Sequence, residues 1–177
     1  MRIRTYFGQP FSSTEWEFSY YGDWIGLRKR GKKKKYASPE EYLENHGKWV
    51  VYGKFWELWE IAEKIMWDSA NNLPVEAMKL SELPAREIEV PCKLKKPHVL
   101  VIYCDKREKE DVKNFLGNNF KNREFCWYYK LDLQTLYQAL ERGYEKELKI
   151  FYNYWDLRAE EGKRIILETV KRLNLEP

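Results

Sequence analysis

No apolar run in the chain approaches the roughly 18–20 residues that a membrane-spanning helix needs, so a helical membrane span is excluded. Cysteine is scarce, with only Cys92, Cys104 and Cys126 and no C-x-x-C pair. An odd, unpaired set argues against a disulfide framework and points to a reducing cytoplasm. Only two histidines occur, His46 and His98. The arrangement Cys92-x5-His98-x5-Cys104 is not a zinc spacing, so no metal is expected. No H-E-x-x-H, P-loop, G-x-G-x-x-G or Ser/His/Asp motif is present, so no catalytic residue and no cofactor are expected. The first residues, Met-Arg-Ile-Arg-Thr-Tyr, lack an apolar signal region. Glutamine appears only at Gln9, Gln134 and Gln138, whereas charged residues reach 34%. That balance suggests a thermophilic source.

What is abundant is basic charge in one place and aromatic side chains throughout. Seven of the eight residues from Arg28 to Lys35 are basic: Arg28, Lys29, Arg30, Lys32, Lys33, Lys34 and Lys35. Without this octapeptide the chain has 32 − 7 = 25 basic residues against 28 acidic ones, so the positive excess is local. Trp24 precedes the run and Tyr36 follows it. A basic run between aromatics outlines a site for phosphates and stacked bases, and equally a solvated lysine loop anchored at its ends. With eight Trp and thirteen Tyr, not every ring can be fully buried.

The length of 177 residues suits one domain. Residues 1–37 read as a β-rich N-terminal extension, with strands at Ile3–Phe7 and Glu15–Tyr20 and a basic loop; residues 38–177 read as the main fold. Ser38-Pro39-Glu40-Glu41 starts a short helix. Lys48–Tyr52 follows as a strand. Phe55, Leu58, Trp59, Ala62, Ile65 and Met66 then form one helical stripe, ended by Asn71-Asn72-Leu73-Pro74. Val75–Leu80 and the apolar run His98–Cys104 read as strands, the second buried. Asp105-Lys106-Arg107-Glu108 opens a helix with Val112, Phe115 and Leu116 inward. Phe125–Leu131 reads as a strand, and Asp132 as the cap of a helix ending at Gly143. The alternation of Leu148, Ile150, Tyr152 and Tyr154 reads as a strand, and a last helix from about Asp156 buries Ile166, Val170 and Leu173. The order from Lys48 is β-α-β-β-α-β, then α-β-α. It predicts an α+β fold, a curved and largely antiparallel sheet with helices on one face, with a ferredoxin-like βαββαβ core as the alternative.

Three segments carry a resemblance: Gly47-Lys48-Trp49-Val50-Val51-Tyr52, Pro97-His98-Val99-Leu100-Val101-Ile102-Tyr103, and Glu108-Lys109-Glu110-Asp111-Val112. Together with the helix between the first two, they resemble the family named after a basophilic-leukaemia-expressed protein. The fold of that family is similar to that of the messenger-RNA cap-binding initiation factors. Lys54-Phe55-Trp56-Glu57-Leu58-Trp59 resembles the first-helix signature of those factors. The resemblance covers residues 45–130 or so. It implies a ligand groove on the concave side of the sheet and a partner-binding role for Trp56. It does not supply the cap-binding constellation, because Met66-Trp67-Asp68 falls too early in the chain.

Three functions follow as expectations. The first is a binding protein for nucleotide or RNA that uses the basic loop, with Trp24, Tyr36, Trp127 and Trp155 as stacking candidates. The second is an enzyme acting on a phosphorylated substrate, with His98 or a lysine as acid or base. A buried His–Lys–carboxylate cluster would favour it. The third is a protein-interaction module or dimer that uses Trp56 and Trp67, eleven residues apart on one line of the first long helix. For each of these aromatic residues the competing use is packing, and the C-terminal helix is the expected cover for Trp56.

Overall fold

The computed structural model describes residues 16–31, 35–68, 73–86, 93–121 and 125–175. The expected strand at Ile3–Phe7, the residues Lys32, Lys33, Lys34 and Cys92, and the Asn71-Asn72 stop lie outside them.

Six strands form one open antiparallel sheet. They are β1 (Trp16–Tyr21), β2 (Trp24–Lys29), β3 (His46–Gly53), β4 (Ala77–Ser81), β5 (His98–Asp105) and β6 (Cys126–Leu131), in the spatial order β1-β2-β4-β5-β3-β6. The helices are α1 (Pro39–Asn45), α2 (Phe55–Asp68), α3 (Lys109–Asn119), α4 (Asp132–Arg142), α5 (Glu145–Tyr154) and α6 (Ala159–Arg172), with a 3-10 turn at Lys106–Glu108. The expected α+β class holds, and so does the order β-α-β-β-α-β.

The chain divides into two compact units. The first takes its described residues from Met1–Lys34, Trp49–Cys104 and Glu108–Tyr129, the second from Lys35–Lys48, Asp105–Arg107 and Lys130–Pro177.

In the first unit the pleat sets the core. Tyr20 pairs with Ile25, Ile25 with Leu80 and Leu80 with Leu100; Phe18 pairs with Leu27, Leu27 with Met78 and Met78 with Ile102. These two cross-strand rows share a face because side chains alternate along a strand. Leu58, Trp59, Ile61, Ala62, Ile65 and Met66 of α2, with Val112 and Leu116 of α3, complete the same apolar cluster. The helical stripe of α2 is therefore as expected. On β5 the core face is Leu100, Ile102 and Cys104, so Val99, Val101 and Tyr103 take the other parity. A near-continuous apolar strand carries no alternation from which its parity could be read.

The second unit is helical. Leu43 of α1, Leu133, Leu136 and Ala139 of α4, Leu148, Phe151 and Tyr152 of α5, and Ile165, Ile166 and Val170 of α6 are buried there. Here the expected strand at Leu148–Tyr154 is corrected to α5. Leu148, Phe151 and Tyr152 are the buried positions, at helical spacing, while Ile150 and Tyr154 are 65% and 73% exposed. The last helix begins at Ala159 rather than near Asp156, which adopts a positive φ of 52° at the junction. Its stripe packs on α1, α4 and α5 within its own unit, and Trp56 of the first unit is 51% exposed.

Gly162 of α6 is required by close packing. A Cβ there would lie 2.3 Å from the ring of buried Tyr152. Alanine is the better helix former by about 1 kcal/mol, but the clash is with a packed ring. Gly162→Ala should therefore destabilise the protein by about 1–3 kcal/mol, as overpacking does. Urea denaturation checks the sign; a stabilised variant would show that Tyr152 moves aside at little cost.

Candidate functional site

The second unit holds a connected group of polar side chains around Asp132 and Asp105. Ser38 caps α1, its Oγ accepting the Glu41 N–H at 3.1 Å. Glu41 in turn accepts the Ala37 N–H at 2.7 Å. These bonds fix the segment carrying Tyr36 and the α1 face carrying Tyr42. His46 ends α1 and starts β3, and Lys48 follows two residues on, on the same side of the strand.

Asp132 is the hub. Its Oδ1 accepts Lys48 Nζ at 2.8 Å, and its Oδ2 accepts the Tyr42 hydroxyl at 2.7 Å and lies 3.3 Å from His46 Nε2. The Asp132 side chain is 14% exposed. Burial pushes its carboxyl pKa up, but the Lys48 and His46 charges and the hydrogen bonds from Lys48 and Tyr42 more than offset this and hold it below the ordinary range. The expected helix cap at Asp132 is corrected accordingly. Asp132 is the first helical residue of α4, and the Gln134 side chain accepts the N–H of Leu131, the true N-cap, at 2.8 Å. The Asp132 carboxylate is thereby left to bind Lys48, Tyr42 and His46.

The other nitrogen of His46, Nδ1, lies 3.4 Å from the Tyr36 hydroxyl. Tyr36 donates to Asp105 Oδ2 at 3.0 Å. Asp105 is also held by Arg107, whose Nε and Nη2 donate at 2.9 Å each and whose backbone N–H donates at 2.8 Å. Burial and the bond to Asp105 push the Tyr36 phenol far above its usual value, so it stays protonated. Tyr42 stacks on His46 at 4.9 Å, and Trp155 lies 6.1 Å from Tyr42. The Trp155 indole Nε1 is buried and makes no hydrogen bond, a donor still to be satisfied.

Lys130, at the end of β6, lies near two other cations, Lys48 and Arg142. Lys130 donates to Gln138 at 2.8 Å. Its pKa is lowered by burial and then by the nearby charges of Lys48 and Arg142, with Asp132 opposing. Asp132 is bound by Lys48 with His46 beside it, and Lys130 stands near Lys48 and Arg142.

The sequence-predicted residues are distributed as follows. Tyr36 and Trp155 both stand in this cluster, linked through Tyr42. Trp24 starts β2 in the first unit, where Lys79 Nζ sits 4.3 Å over its ring. Trp127 packs against Trp49 at 5.1 Å and against the apolar core, which is the packing use. The basic loop is corrected in part: Arg28 and Lys29 belong to strand β2, and Arg30 pairs with Glu17 at 3.2 Å. Lys35 lies in the second unit. His98, the named acid–base candidate, stands at the start of β5 in the first unit. Its Nδ1 lies 3.0 Å from the Ser81 carbonyl, which only accepts, so Nδ1 carries the proton. His46, Lys48, Lys130, Asp132 and Arg142 were not selected from sequence. His46-x-Lys48 and Lys130-x-Asp132 are i, i+2 pairs of chemistry-bearing residues, and that spacing was the available signal. Among the described residues no group of three or more His, Cys, Asp and Glu side chains is placed to hold a metal, and no helix is long and apolar enough to cross a membrane.

The fold and the site together define an α+β protein with a polar centre built around Asp132 in its second unit. No protein-family model matches the sequence, and no curated protein matches it.

Proposed function

We propose that the protein binds a phosphorylated ligand in its second unit, through Lys48, Lys130 and Arg142 beside His46. One observation carries this reading: Lys130 lies within reach of the charges of both Lys48 and Arg142, next to the pair that His46 and Lys48 make with Asp132. Burial lowers the Lys130 pKa, and Lys48 and Arg142 add like-charge repulsion. A dianionic phosphoryl group relieves it and accepts charge-assisted hydrogen bonds from all three. Tyr36, Tyr42 and Trp155 supply ring faces and an indole N–H nearby, the equipment for a nucleotide or another ring-bearing phosphate ester. The His46–Lys48–Asp132 cluster also favours the enzymatic version of this reading, in which a phosphorylated substrate meets an acid–base group.

The test is calorimetric titration with inorganic pyrophosphate. The unaltered protein should bind it, and Lys130→Gln combined with Arg142→Gln should weaken binding by about tenfold or more, the cost of losing charge-assisted contacts. Neither residue is central to packing, so the variant keeps its fold. Equal affinity in the variant would remove these cations from the site and turn attention to the run Arg28–Lys35.

A second reading has its own observation. Trp56 and Trp67 are 51% and 65% exposed on α2, and exposed large aromatics are good anchors for a protein partner.

A further inference from the structure

We infer that His46 gives its Nδ1 proton as a hydrogen-bond donor to the bound phosphoryl group, and that Tyr36 yields that position when the ligand enters. The inference rests on the phosphate reading above and follows from counting protons.

The Asp132 carboxylate only accepts, so the close approach of His46 Nε2 at 3.3 Å requires a proton on Nε2. Tyr36 has one phenolic proton and gives it to Asp105 Oδ2 at 3.0 Å. The face that its oxygen turns to Nδ1 at 3.4 Å is then a lone pair, and the contact is attractive only if Nδ1 also carries a proton. In that arrangement His46 is an imidazolium with two donors. In the alternative arrangement the phenol rotates its proton onto Nδ1, His46 is neutral, and Asp105 keeps the Arg107 fork and backbone N–H. In the second arrangement Asp105 gives up the phenol proton and keeps its three bonds from Arg107. The histidine can therefore hold either state, and its environment decides.

The groups that face His46 are Tyr36 before α1, Tyr42 on α1, Lys48 on β3, Asp105 and Arg107 at the end of β5, and Asp132 on α4, with Lys130 on β6 beside Lys48. Glu41 lies 3.8 Å from Arg107. The contact to Tyr36, at 3.4 Å, is longer than an ordinary N–H···O bond of about 2.9 Å. A phosphoryl oxygen is a far better acceptor than a phenol oxygen, so it takes that place and selects the imidazolium. Asp132 anchors the ring from behind, as an orienting carboxylate does for an acid–base histidine. Aligned in this way, the same N–H is positioned as a general acid toward an ester oxygen of the ligand.

Inorganic sulfate is the probe, because it remains a dianion throughout the neutral range. Between about pH 6 and pH 8, where histidine titrates, sulfate affinity should fall by up to tenfold per pH unit. Calorimetry in two buffers of different ionisation enthalpy should show net proton uptake at the upper end of that range. His46→Gln should bind more weakly and without the pH dependence. Tyr36→Phe should retain both binding and pH dependence, because the phenol leaves in any case. Sulfate binding that is flat with pH and takes up no proton in the unaltered protein overturns this inference alone. Loss of binding in Tyr36→Phe also overturns it, since the phenol would then be a ligand. Failure to bind sulfate at either pH overturns the phosphate reading as well.

Discussion

Asp132→Ala is expected to destabilise the protein by about 3–5 kcal/mol, the scale for removing one partner from a buried ion pair. The loss exceeds that of the Lys48 bond alone, because Tyr42 and His46 lose the same acceptor. Against a total stability of roughly 5–15 kcal/mol this is a large fraction. The sign with pH follows from the lowered carboxyl pKa. A carboxylate held below its unfolded value contributes stability that is fully present above the unfolded pKa, near 3.8. That contribution is lost as pH falls through the lower folded-state value. Asp132→Asn, which keeps the shape and one acceptor oxygen, should be less damaging than alanine and should flatten this acid limb. Chemical denaturation of the three proteins across the acid range checks both points. An alanine variant within about 0.5 kcal/mol of the unaltered protein, the ordinary surface range, would show that the cluster is solvated rather than structural.

Leu58→Ala in the first unit is expected to cost about 2–5 kcal/mol through the cavity it leaves. Leu58 is fully buried in α2 and packs in the cluster that joins both cross-strand rows to the helices. Its Cδ2 lies 3.2 Å from where a Gly53 side chain would begin, so the strand side of the pocket is tight and has little room to collapse. Trp56→Ala on the same helix, at a half-exposed position, should cost far less. The two variants together test the helix register by denaturation midpoint. Similar losses in both would place Trp56 in the core and contradict the register.

The fold was readable wherever a single periodicity acted alone. The α2 stripe, the Ser38 cap and the Gly143 end, where φ is +73°, each follow from one local rule. The reading failed where two periods fitted the same residues. Leu148 and Tyr152 satisfy both a strand alternation and a helical i, i+4 spacing, and burial of Phe151 rather than Ile150 resolves it. The parity of β5 had no local signal, because both of its faces are apolar.

Tyr36 and Trp155 were visible as exceptional aromatics, but the site they flank was not. It is assembled from α1, the start of β3, the end of β5, the end of β6 and α4, and contacts between residues 84 and 90 apart, such as Lys48–Asp132 and Tyr42–Asp132, leave no trace in local pattern. His98 drew attention because it begins a strong strand, and the structure ties its Nδ1 to the Ser81 carbonyl. His46 sits at an unremarked helix end, and what marks it out is its contacts with Asp132, Tyr36 and Tyr42.

The most direct test of the phosphate site is nitrogen-15 NMR of the two histidine rings during a pyrophosphate titration at fixed pH. His46 lies in the proposed site and His98 in the first unit, so each chain carries its own control. Resonances of His46 moving saturably while those of His98 stay fixed is the predicted result. An unmoved His46, or equal movement of both rings, would contradict a ligand site at Lys48, Lys130 and Arg142.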